Sequence, residues 1–361
     1  MPAEISLSAV PSTKALRPKR ILVILAYGEM YARGVFIKRL FSEFGARGHD
    51  VRIECHNLSH PRWHRIPGLA RLFPFFNEWR LAWLARSYDV VFLQKIVSRR
   101  LIALLRSHSR ARLILDFGDA MWMPQQAGPG FDELLRLVDD VSTDNEWTRR
   151  HVLPLNPKCA VVPDLAQVEE FDRRRRPGAK GSDGRLVIGW VGSPGTLYNL
   201  YIVWEALERL FSRHDHIHLR LVGAGRDRRQ LPAFEQVRFS TVAEYDQGVM
   251  IDEVLNMDIG LFPLQDTDYS RVRGVLKAAV YMAGEAAVVG SPVGQTTELI
   301  EHGTNGMLAS TSEEWERSLE RLITEPDFRR RIASNGLRTA RQQFAVPLVF
   351  ERLRAVVEDT K

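Results

Sequence analysis

Two series of short apolar, β-rich runs, each alternating with helical patterns, constrain this chain more than any other feature. The first series is Arg20–Ala26, Val51–Cys55, Asp89–Gln94, Arg112–Asp116 and Cys159–Pro163. The second is Arg185–Val191, Ile217–Val222, Val237–Phe239, Asp258–Phe262 and Ala286–Gly290. Strands separated by helices build parallel sheets rather than hairpins, so each series predicts an α/β domain. A length of 361 residues suits two such domains. Between the first two runs, Phe36, Leu40, Phe41 and Phe44 fall at helical spacing, and Gly48 closes that helix.

The series are separated by residues 172–184, a charged and Gly-rich stretch without apolar periodicity. It reads as a linker, with a nuclear-localisation reading of its four arginines as the alternative. The expected division is a first domain over 1–172, a linker over 173–184, a second domain over 185–340 and a terminal helix over 341–361. In that last stretch Phe344, Val349, Phe350, Leu353 and Val356 form one apolar face, which needs a surface to cover and is expected to find it on the first domain.

Charge is uneven. Residues 1–110 hold 19 Lys/Arg against 7 Asp/Glu, whereas the rest of the chain is net acidic within an overall +6. The first domain is therefore the one expected to meet something anionic. Nucleic acid is disfavoured, because no zinc-finger spacing, RNP-like aromatic motif or basic heptad region is present. Cys55 and Cys159 are the only cysteines, in no metal or disulfide pattern, and His214, His216 and His218 alternate as a solvent-facing set; no metal site is expected. Ile21–Ala26 is too short for a signal-peptide core or membrane span, so residence in the cytoplasm is the expectation.

In open α/β sheets ligands bind beyond the carboxyl ends of the strands. Ile188-Gly189-Trp190-Val191-Gly192-Ser193-Pro194-Gly195-Thr196 runs from a strand into small residues and then a helical pattern near Tyr198. Gly192, Ser193 and Thr196 there would let a phosphate approach the backbone; the other reading is a tight βα turn with a Ser or Thr cap. No Gly-Lys-Ser/Thr follows, which excludes a Walker A loop. Further on, Arg271, Arg273 and Lys277 surround Gly274 and Val275 at the start of a helical run. Cations are badly placed at a helix amino terminus unless an anion reverses the penalty; solvated surface arginines are the alternative. In the first domain, Asp116 and Asp119 sit at a strand end, where carboxylates bind hydroxyls or act as caps. Gly28, Arg33 and Gly34 follow the first strand and Lys95 the third, placed to meet an acceptor phosphate. No Gly-x-Ser-x-Gly elbow or nucleophilic cysteine context is present.

The run Lys277 to Gly306, with Lys277-x-x-x-Tyr281-Met282-Ala283, Val288-Val289-Gly290-Ser291-Pro292-Val293-Gly294, Glu298-Leu299-Ile300 and Gly303-Thr304-Asn305-Gly306, resembles the signature of family 4 glycosyltransferases. Ile188–Thr196 resembles the first donor-domain loop of the branch found in cell-surface polysaccharide synthesis. Tyr88–Gln94, Leu115–Trp122 and Ser142-Thr143-Asp144-Asn145 resemble its amino-terminal domain. The resemblance spans nearly the whole chain in order. It implies a GT-B fold, in which two Rossmann-like domains face each other across a cleft. It also implies a nucleotide-sugar held mainly by the second domain as co-substrate, and transfer with retention and without a bound metal. Arg271, Arg273 and Lys277 would then stabilise the leaving diphosphate, Arg273 and Lys277 with Asp119 being the catalytic candidates.

The sequence departs from that pattern where the family commonly carries two acidic residues. Those positions are Val272 and Val280, neither able to accept a hydrogen bond, and Glu285 is the neighbouring candidate to replace them. The Arg and Lys that many members carry after the first donor-domain strand are replaced by Ser193 and by Tyr198 or Asn199. Finally, residues 61–84 interleave Trp63, Phe73, Phe76, Trp79 and Trp83 with arginines. The pattern fits an anionic bilayer interface or a helix covering the sheet. Taken together, the expectation is a glycosyltransferase acting on a glycan or lipid-linked acceptor, at the inner face of the membrane. The alternative is a non-catalytic scaffold of the same fold, and an epimerase of that fold is a third option.

Overall fold

Strand residues that are apolar on both faces dictate where the two sheets form. The computed structural model describes residues 17–27, 32–57, 69–176, 184–226 and 237–358. The first sheet contains β1 (Arg20–Leu25), β2 (Asp50–Cys55), β3 (Val90–Gln94), β4 (Arg112–Phe117), β5 (Asp140–Thr143) and β6 (Cys159–Val161). Its order is β2-β1-β3-β4-β5-β6, with every pairing parallel. β1, β3 and β4 are buried almost end to end, as strands covered by helices on both faces must be. The edge strand β2 is only partly covered.

The second sheet contains β7 (Leu186–Val191), β8 (Ile217–Val222), β9 (Phe239–Val242), β10 (Ile259–Phe262), β11 (Ala287–Gly290) and β12 (Met307–Leu308). It is also wholly parallel, in the order β12-β11-β10-β7-β8-β9. Two Rossmann-like domains thus face each other, as the resemblance implies. Two strands escaped the sequence reading. β5 reads Asp-Val-Ser-Thr and is buried despite three polar residues, because Ser142 and Thr143 find hydrogen-bond acceptors inside; β12 is only two residues long.

Ala166, Val168 and Phe171 pack into the second sheet's core, so the chain changes core before residue 172. The expected linker begins inside the helix Val168–Arg174, and Arg174 and Arg175 tie it down through Asp252 and Glu285. The helix Pro326–Gln343 stays with the second domain, and so does Phe344. The chain then crosses back. Val346, Val349, Phe350, Leu353, Val356 and Val357 of the helix Val346–Glu358 join Ile21, Val23, Phe41 and Phe44 in the first-domain core. Lys19 Nζ donates to the carbonyls of Val357 and Glu358 at 3.1 and 3.2 Å, placing a cation on the negative end of that helix.

Candidate active site

The carboxyl ends of both sheets open onto one cleft of about 590 Å³ at the domain boundary. On the second-domain side, the turn after β7 is shaped by close backbone packing. A Cβ at Gly192 would lie 2.1 Å from the Trp190 ring, and one at Gly223, whose φ is +81°, would lie 2.2 Å from the Gly192 carbonyl oxygen. Ser193 N donates to Thr196 Oγ1 at 3.2 Å, and Thr196 N to the Ser193 carbonyl at 2.9 Å, starting a 3₁₀-helix at Pro194. The turn is capped, as one of the two sequence readings has it, and Gly192, Ser193 and Thr196 line the cleft.

Arg273 and Lys277 line the same cleft from the opposite side of that turn. Neither has a carboxylate within ion-pair distance among the described residues. Arg273 lies over the Tyr269 ring at 5.5 Å, and Lys277 Nζ sits 5.4 Å from the Trp190 ring centroid and 3.4 Å from Thr196 Oγ1. Burial, reinforced by the charge of Arg273, pulls the Lys277 ammonium down to about 7. Two cations held close together and partly desolvated make a site that an anion would stabilise.

Arg271 is placed elsewhere, exposed and ion-paired to Asp266 and Asp268 at 2.7 and 3.2 Å. Gly274 lines the cleft, whereas Val275 and Val280 are buried in the second-domain core. Glu285 also misses the cleft: its backbone is left-handed, with φ of +58°, and its carboxylate meets Arg175 at 2.6 Å. It supplies no acceptor to a ligand there. Tyr281, from the motif that carries the resemblance, is a strut. Its hydroxyl accepts the Val191 N–H at 2.6 Å, holding the helix Leu276–Ala283 against β7.

On the first-domain side, Arg33 and Lys95, the cations expected to meet an acceptor phosphate, are each paired with carboxylates. Arg33 grips Asp116 with two hydrogen bonds, at 2.9 and 2.6 Å, and reaches Asp164 with a third at 2.6 Å. Burial opposes its charge, but Asp116 and Asp164 more than compensate and hold the guanidinium ionised. Asp116 is wholly buried, also accepts from Ser142 Oγ, and does not line the cleft; it anchors Arg33 rather than an acceptor. Lys95, with φ of +55°, pairs with Asp119 at 2.5 Å, and both line the cleft. Gly34 is buried within the helix Ala32–Ala46, and Gly28 lies outside the described residues.

Sequence reasoning passed over Asp144 and Asp164 as site residues, although both follow strand ends and both line the cleft. Burial drives their carboxyls upward; for Asp144, Asp164 adds to the effect and Arg33 opposes it. The two walls also touch. The Val272 carbonyl accepts from Asn145 Nδ2 at 3.1 Å and Thr148 Oγ1 at 3.3 Å, and Gln126 Nε2 donates to the Tyr269 hydroxyl at 3.1 Å. No group of three His, Cys, Asp or Glu side chains among the described residues is placed to hold a metal ion.

Residues 185–325 match the family described as glycosyl transferases group 1. No curated protein matches the chain. Among solved structures, it is similar to a glycosyltransferase from Rickettsia africae, with a TM-score of 0.71 at 14% identity over 95% of this chain and 100% of that one. It is similar to Anabaena HepE in complex with UDP-glucose, with a TM-score of 0.64 at 14% identity, covering 93% and 98% of the two chains. A third such structure is sucrose-phosphate synthase from Thermosynechococcus elongatus, with a TM-score of 0.67 at 14% identity and coverages of 93% and 97%. At this identity the likeness shows the shared two-domain fold.

Proposed function

Starting from a second domain of the group 1 glycosyltransferase kind, we propose that this chain transfers a sugar from a nucleotide-sugar, with the diphosphate lying between the Gly192 turn and Arg273 with Lys277. The observation that carries this reading is the pair of cations without carboxylate partners among the described residues, one of them pulled to about 7. As the bond from the anomeric carbon to phosphate breaks, negative charge collects on the diphosphate, and these cations stabilise it. Transfer proceeds with retention and without a bound metal, so activity survives EDTA. The UDP-glucose in the Anabaena structure supports testing uridine donors first.

The acceptor approaches from the first-domain wall. It is a glycan or lipid-linked precursor of a cell-surface polysaccharide, met at the inner face of the membrane. Support comes from the helix Leu69–Ala85, where Phe76, Trp79 and Trp83 are 61%, 40% and 69% exposed while Leu81, Ala82 and Ala85 cover the sheet. Trp63 lies outside the described residues, as does the side chain of Phe73. No helix among the described residues is long and apolar enough to cross a membrane.

A second reading, a non-catalytic scaffold, is favoured by Val272, whose carbonyl docks on the first domain, and by Val280, which is core. Donor turnover separates the two. Release of nucleoside diphosphate from one of UDP-, GDP-, ADP- or dTDP-glucose, lost in Arg273→Ala and Lys277→Ala, supports transfer. Binding and turnover of none of them would leave the scaffold.

A further inference from the structure

Asp144 is a cleft carboxyl that the reading above leaves without a task. It follows β5 and is 6% exposed. Its Oδ1 accepts from Asn145 Nδ2 at 2.7 Å, while Oδ2 has no hydrogen-bond partner in another residue among the described ones. Two glycines make room for it, one from each domain. A Cβ at Gly118 would lie 3.2 Å from the Asp144 Cγ, and a Cβ at Gly274 would lie 2.3 Å from Oδ2. Asp144 therefore reaches over the domain boundary to the turn that carries Arg273. The boundary is pinned there, because its neighbour Asn145, with Thr148, holds the Val272 carbonyl. A carboxyl this deeply buried, lining a cleft and bonded through Oδ2 to no other described residue, is placed to take a ligand hydrogen.

We propose that Asp144 is a substrate-contacting residue whose Oδ2 binds a hydroxyl of the transferred sugar, so that the first domain reads a sugar carried by the second. This rests on the nucleotide-sugar reading. The nucleoside diphosphate is held by second-domain groups, whereas the sugar contact comes from the facing domain. The hydrogen bond exists only while the Val272 carbonyl is docked on Asn145 and Thr148. Domain closure is thereby coupled to recognition of the sugar, and an open molecule holds the donor by its diphosphate alone. Burial first, and then Asp164 and Asp119, raise the proton affinity of Asp144 against the opposing charge of Arg33, so this carboxyl can offer a hydrogen to a hydroxyl as well as accept one.

The test uses the full chain with UDP-, GDP-, ADP- and dTDP-glucose and the matching diphosphates, in wild type, Asp144→Asn, Asp144→Ala, Gly274→Ala and the Asp144→Ala/Gly274→Ala double variant. Asp144→Ala is expected to keep diphosphate affinity within about threefold and to lower kcat/KM for the sugar nucleotide roughly 10- to 100-fold, the loss of one hydrogen bond to a carboxyl group. Asp144→Asn keeps the shape and carries the test if the alanine variant melts early; it is expected to lose less. Gly274→Ala drives a methyl into Oδ2 and is expected to slow turnover. Removing Asp144 relieves that overlap, so the double variant separates packing from contact: it stays as slow as Asp144→Ala if the carboxyl touches substrate. Recovery of the double variant to wild-type turnover would overturn the proposal, as would a kcat/KM for Asp144→Ala and Asp144→Asn within twofold of wild type. A wild type that binds none of the diphosphates removes the nucleotide-sugar reading and this assignment with it.

Discussion

Lys277 should take up a proton when a nucleoside diphosphate binds. In the empty cleft, burial and Arg273 hold its ammonium at about 7, so at pH 8 most molecules carry a neutral amine there. A bound diphosphate favours the charged form. If the bound-state pKa returns to the ordinary lysine range, binding at pH 8 draws about 0.9 proton from the buffer. Affinity is then full below pH 7 and falls as pH rises, by up to about tenfold per pH unit. Stability of the empty fold moves the other way. The folded chain has released a proton that the unfolded chain still holds between pH 7 and the ordinary lysine value, so stability rises with pH across that window, by about 1.4 kcal/mol per unit. Calorimetric titration of UDP at pH 8 in two buffers of different ionisation heat reads the proton directly. Lys277→Met should abolish both the uptake and its share of the stability slope. Equal heats in the two buffers for wild type, or uptake that persists in Lys277→Met, would refute the assignment.

Arg33→Ala leaves Asp116 and Asp164 buried without their cation, and should lower stability by about 3–5 kcal/mol in chemical denaturation. Phe350→Ala should cost about 3–5 kcal/mol, because its ring packs on Phe44 at 4.9 Å where the terminal helix covers the first domain. Replacing Phe76, Trp79 and Trp83 with Ser should lower sedimentation with anionic liposomes while leaving the melting curve near wild type, since these side chains point outward; a lowered melting point with unchanged pelleting would reverse that reading.

The strands were legible because parallel sheets covered on both faces demand continuous apolar runs, and β1, β3, β4, β7, β10 and β11 obey, whereas β8 alternates His218 and Arg220 with buried aliphatics. β5 was not, because its burial is satisfied by hydrogen bonds that only the neighbouring strands reveal. The terminal helix was readable from the spacing of Val349, Phe350, Leu353 and Val356, although Phe344 belongs to the other core. On the second-domain side, Gly192, Ser193, Thr196, Arg273, Gly274 and Lys277 follow from the strand-end rule. Arg271 satisfies the same rule, yet Asp266 and Asp268 capture it locally, and periodicity says nothing of such competition. The first-domain wall was the least legible. Arg33 reads as a cation awaiting an anion until Asp116 and Asp164, distant in sequence, are found on either side of it.

The central claim is that the cleft binds a nucleoside diphosphate between the Gly192 turn and the cations Arg273 and Lys277. Thermal unfolding of the full chain with UDP, GDP, ADP and dTDP tests it most directly, because a ligand at 100 times its dissociation constant adds about 2.7 kcal/mol to stability. At least one diphosphate should raise the melting point of wild type by several degrees and should do far less for Arg273→Ala and Lys277→Ala. A melting point unmoved by all four, or raised equally in wild type and both variants, would contradict it.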